Sequence, residues 1–105
     1  MKESEILARL KDWNTIDAGE CNELTNALSF FIMDYEESLH DQNLIVSNKW
    51  LTIREASKSN DMADKMLEIS AEYQKREKDK LTLGQLRRMR ADLKDRLKIL
   101  TFSKF

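Results

Sequence analysis

Proline is missing from all 105 residues, and glycine appears only at Gly19 and Gly84. A sheet protein of this length needs many tight turns, and these are the residues that make them. Their scarcity leaves an all-α architecture as the expectation. Two isolated glycines also cannot build a phosphate-cradling loop. The single cysteine, Cys21, excludes a disulfide within the chain and suits a reducing, cytoplasmic setting. No apolar run approaches the roughly 20 residues of a membrane-spanning helix, and no signal-peptide pattern opens the sequence.

What the chain does hold is charge on 35% of its residues beside 41% hydrophobic residues, too many of the latter for a disordered chain. The length predicts one domain, residues 1–105. The net charge of −1 hides an asymmetry. Residues 1–57 carry five Lys/Arg and eleven Asp/Glu, giving −6, whereas residues 58–105 carry thirteen and eight, giving +5. A chain that folds back on itself would lay an acidic helix beside a basic one.

The apolar spacing predicts three helices. Residues 3–13 form a short amphipathic helix, with Ile6, Leu10 and Trp13 on one face. From 18 to 57 runs a long helix whose stripe is Cys21, Leu24, Leu28, Phe31, Tyr35, Leu39, Val46, Trp50 and Ile53. Its steps are mostly three and four, the signature of a packed seam. A second stripe, Phe30, Met33, Leu44 and Leu51, cannot be covered by the same partner helix and calls for a second neighbour. The turn at 58–64 offers Ser59 or Asn60 as a cap. A return helix then spans 61–101, with Met62, Met66, Ile69 and Tyr73 first and Leu83, Leu86, Met89 or Arg90, Leu93, Leu97 and Leu100 after. Thr82 and Gln85 have capping-box spacing around Gly84, so a break near 81 is an alternative to a continuous helix.

A turn near residue 59 places Gln42, the polar gap in the first long helix, opposite Arg76 in the polar run 74–80. Two interruptions at the same height support a long antiparallel, coiled-coil-like hairpin. With His40, Gln42 and Arg76, this polar layer has three readings: a solvated splay, a buried network that fixes register, or a recognition point. At the open end, Trp13 and Ile16 come level with Phe102 and Phe105 as an apolar plug. A two-helix hairpin has little core, so self-association into a dimer or larger helical bundle is expected to complete it.

Ala27-Leu28 with Tyr35-Glu36, the segment Asn48-Lys49-Trp50-Leu51-Thr52-Ile53-Arg54-Glu55 and the run Leu93-Lys94-Asp95-Arg96-Leu97 carry a resemblance. Over about residues 20–100 the chain resembles the small, helical, functionally unassigned proteins encoded among the early genes of tailed phages and prophages. That resemblance implies a cytoplasmic setting in a bacterial cell and a supporting role in phage DNA metabolism or host takeover. It supplies no catalytic residues.

Catalytic chemistry has little to stand on. His40 and Asp41 with Glu36 and Glu37 offer one histidine and a few carboxylates, where a metal site gathers three or four converging ligands. Cys21 and His40 lie over about 25 Å apart along one helix, so a single subunit cannot join them as nucleophile and base. No enzyme activity, cofactor, metal or small-molecule substrate is expected. Two functions are. The first is a non-enzymatic protein-interaction module, docking a phage or host protein through Trp13, Phe30, Met33, Leu44, Trp50 and Leu51. The alternative is a nucleic-acid-binding accessory using Arg87, Arg88, Arg90, Lys94, Arg96 and Lys98, whose charge could neutralise phosphates. No aromatic is interleaved there to stack bases.

Overall fold

A computed structural model describes residues 2–102 and is all-α among them. Helix α1 is Glu3–Lys11, followed by a 3-10 turn at Trp13–Thr15. Helix α2 is Ala18–Ala56, α3 is Asn60–Glu68 and α4 is Ala71–Phe102. The long helix α2 packs against α4 as a hairpin. The contacts gather into two compact units, Met1–Asp34 with Gly84–Phe105, and Tyr35–Leu83.

Each helix start has a local cause. Asp17 Oδ1 accepts the Glu20 N–H at 2.8 Å and so caps α2. Ser59 Oγ accepts the Met62 N–H at 3.2 Å and caps α3. Ser70 does the same for α4, taking the Tyr73 N–H at 3.3 Å. That third cap corrects the expected return helix. The segment 61–101 is neither one continuous helix nor a helix broken near 81; it is two helices divided at Ile69–Ser70. Around residue 81 the helix runs on, and the Thr82 hydroxyl donates to the Lys78 carbonyl at 3.2 Å instead of forming a capping box. Gly84 sits inside α4 with open space where a Cβ would be.

In the first unit the buried side chains are Ile6 from α1, Ile16, then Cys21, Leu24, Leu28 and Ile32 from α2, and Leu86 and Leu93 from α4. Ile32, rather than Phe31, takes the buried position, and Phe31 is half-buried beside it. Arg9 ties α1 down: its Nη2 donates to Glu20 Oε1 at 2.8 Å and its Nη1 to Thr15 Oγ1 at 2.9 Å. At the expected apolar plug, Ile16 is buried and Trp13 half-buried, but Phe102 is 76% exposed. Phe105 lies outside the described residues.

In the second unit Leu39, Val46, Ala63 and Leu83 form the buried apolar set, with Gln42 among them. Helix α3 turns Ala63 inward and leaves Met62, Met66 and Ile69 exposed at 48%, 45% and 77%. The expected stripe of those three residues is therefore an outward face. Because Ser59 and Ser70 cap α3 and α4 separately, α3 is free to choose its own rotation. The small Ala63 side chain then becomes its contact point.

Candidate functional site

The polar layer holds a part-buried hydrogen-bonded network in the second unit. Gln42 Nε2 donates to Asp79 Oδ2 at 2.7 Å and to Ser38 Oγ at 2.9 Å. The Gln42 bond, helped by Lys75 at 3.1 Å, holds the Asp79 carboxyl below its ordinary range against the opposing effect of burial. Arg76, expected opposite Gln42, sits about one turn away. Its Nη1 reaches Asn43 Oδ1 at 3.4 Å, its Nη2 reaches Glu77 Oε1 at 3.1 Å, and it stacks on the Tyr73 ring at 5.0 Å. His40 is exposed and takes no part in this network. Of the three candidate seam residues, Gln42 lies in the network, Arg76 binds about one turn from it and His40 stays outside.

Sequence spacing does not single out Asp79. The signal for it is its place inside the polar run 74–80, three residues after Arg76 and so on the same helical face. Nor does spacing mark Asp64 as a partner: it accepts the Trp50 indole N–H at 2.8 Å and fixes that ring. A cleft of about 390 Å³ opens beside it, lined by Val46, Ser47, Trp50, Leu51, Leu67 and Arg76. Its size falls within the usual range of ligand pockets, but it is an open groove lined by α2, α3 and α4, the kind of surface that receives another helix.

The remaining interface candidates separate by unit. In the first, Phe30 and Met33 are 70% and 55% exposed, and Trp13 borders an apolar groove of about 490 Å³ with Leu7, Leu10 and Met89. In the second, Leu44 and Leu51 are 58% and 55% exposed, joined by Ile45 at 53%, a position the two-stripe pattern passed over. Trp13 carries the Arg96 guanidinium, whereas Phe30, Met33, Leu44, Ile45 and Leu51 are more than half exposed.

The six candidate cations of α4 fare differently. Arg96 donates to the Ile16 carbonyl at 3.0 and 3.1 Å and to the Asn14 carbonyl at 3.3 Å, with its guanidinium over the Trp13 ring. Arg90 reaches Ser29 Oγ at 3.3 Å. Both serve the packing of the first unit. Arg87, Arg88, Lys94 and Lys98 are exposed, with Asp92 and Asp95 between them.

Reactive groups stay apart. Cys21 is fully buried, and burial pushes its thiol up while Arg96 offsets this only in part. Glu36, Glu37, His40 and Asp41 line an open groove. Among the described residues no group of three or more His, Cys, Asp or Glu is placed to hold a metal ion, and no helix is long and apolar enough to cross a membrane. Comparison with protein-family models, curated proteins and solved structures finds no match.

Proposed function

We propose that this chain is a non-enzymatic protein-interaction module, set in the bacterial or phage context its sequence resemblance implies. The observation that carries this reading is the set of large apolar side chains on the outward faces of α2: Phe30 and Met33 in one unit, Leu44, Ile45 and Leu51 in the other. Leaving such residues in water forgoes about 1.5–3 kcal/mol for each one that a partner could bury. Aromatic residues and methionine are also the types enriched at interfaces. The test is affinity capture from bacterial extract with the wild-type chain and with a Phe30→Ser/Met33→Ser variant of unchanged helicity. A protein retained by the first and lost by the second is expected. Identical captured sets would overturn the reading.

A nucleic-acid-binding role is the second reading. It is favoured by one observation: Arg90 and Arg96 are held by a hydroxyl and by carbonyls, so neither positive charge is neutralised by those bonds. Exposed Arg88, Lys94 and Lys98 add to it. Binding of labelled DNA and RNA that falls steeply between about 50 and 200 mM salt is the expected signature. No retention at the lower salt removes this role.

A further inference from the structure

The outward face of α2 within the unit Tyr35–Leu83 has its own repeat. Glu37, Leu44 and Leu51 follow one another at seven-residue steps, and Lys58, seven residues further, lies in the bend just beyond the helix end. Seven-residue spacing is what keeps one helical face turned toward a neighbouring helix. Midway between the two leucines lie Ser47 and Asn48, uncharged and exposed. Carboxylates gather at one end of this stretch, Glu37 and Asp41 being exposed in the groove they share with His40. Cations gather at the other end. Arg54 bonds only neutral acceptors, Asn60 Oδ1 and the Ser57 carbonyl, and Lys58 is exposed.

The geometry points to a second copy of this chain as the occupant of this face, the two α2 helices crossing antiparallel about a twofold axis at Ser47–Asn48. Leu44 of each copy then lies against Leu51 of the other, and the uncharged pair at the axis lets the backbones approach. In the same register Glu37 meets Lys58 and Asp41 meets Arg54 across the interface, while His40 meets Glu55. A parallel pairing would set Glu37 on Glu37 and Lys58 on Lys58, so the charge pattern selects the antiparallel arrangement. Every contact is made twice, as a twofold interface requires. The groove beside Trp50 receives the flank of the incoming helix.

The size of the contact fixes its strength. From residue 37 to the helix end at 56 the face is about 28 Å long and a helix about 10 Å wide, a footprint of roughly 300 Å² per copy. A standard interface buries about 800 Å² per partner, so this pair belongs with the weak, reversible class. This inference rests on the interaction reading above and names the partner for one of its faces.

Sedimentation of the full chain from about 1 to 500 μM, where micromolar association becomes visible, is the test. A monomer–dimer equilibrium is expected. Glu37→Lys and Lys58→Glu alone should each weaken association by about tenfold, and the two together should restore it. Both changes are at exposed positions, and circular dichroism checks that the helices persist. Asn48→Cys should also join chains through a short bifunctional thiol reagent, whereas Glu68→Cys should not. A monomer at every concentration, a dimer indifferent to the single changes, failure of the double change to restore it, or no joining through residue 48 would each overturn the proposal. A monomeric chain that still loses a captured protein on changing Phe30 and Met33 would leave the interaction reading standing and remove only this pairing.

Discussion

Gln42 ties α2 to α4 in the second unit through its bond to Asp79. It is a polar group inside an apolar set, and its amide nitrogen is shared between Asp79 and Ser38. Its amide oxygen is buried without a hydrogen-bond partner among the described residues. Replacing Gln42 with Leu removes the donor to Asp79 and should cost about 1–3 kcal/mol in a denaturant titration at neutral pH. Acid should shrink that cost. Asp79 titrates lower in the folded chain than the ordinary value near 3.9, so its contribution is fully present above that value. It is lost as pH falls through the lower, folded value. Wild type and Gln42→Leu should therefore converge in stability toward the acid end, and parallel curves down to about pH 2 would count against the Gln42–Asp79 bond. Gly84 allows the opposite experiment. It lies inside α4, and a methyl group added at its Cα would meet nothing within 4 Å. Gly84→Ala should therefore stabilise the chain by about 0.5–1 kcal/mol.

At the scale of the element, α2 is the most legible part of the sequence and the return arm the least. The steps of three and four report burial at Cys21, Leu24, Leu28, Leu39 and Val46, because one long helix has one face toward its neighbour. They miss Ile32, which is buried where Phe31 and Tyr35 are not. The outward stripe at Phe30, Met33, Leu44 and Leu51 is legible for the same reason. The division at Ile69–Ser70 is not. Met66, Ile69 and Tyr73 continue a helical spacing through it, and neither glycine nor proline marks the stop. Only the cap at Ser70 distinguishes the two helices, and a serine inside a periodic run reads as an ordinary surface residue. Ser70→Ala should accordingly cost about 1 kcal/mol and loosen the start of α4, seen as faster amide exchange at Tyr73 and Gln74. Leu28 lies at the opposite extreme, fully buried in the first unit. Leu28→Ala should cost about 2–5 kcal/mol by denaturant titration, the range for truncating a buried leucine.

For the whole molecule, the charge asymmetry between the halves of the sequence predicts paired charges along the hairpin. Several ion pairs are local instead. Lys75–Asp79, Arg76–Glu77 and Lys80–Glu77 all lie within α4, while Lys49–Glu72 at 3.8 Å joins α2 to α4. Arginines take the other links: Arg90 and Arg96 bridge to Ser29 and Ile16 through neutral acceptors. Composition announces the sign of each half but not the atoms that a long, flexible cation finds, which depend on rotation and register within about one turn. The candidate surfaces share that limit: their residues are readable from spacing, whereas the Trp50 groove needs Leu67 and Arg76 from the other arm.

The enclosure of Cys21 gives the first unit a built-in clock. With no thiol surface in the folded chain, a colorimetric disulfide reagent can react only with molecules that have opened there. The rate of colour development, followed against denaturant, therefore measures how often that part of the chain unlocks, with no label added and no other sulfhydryl to confuse the reading.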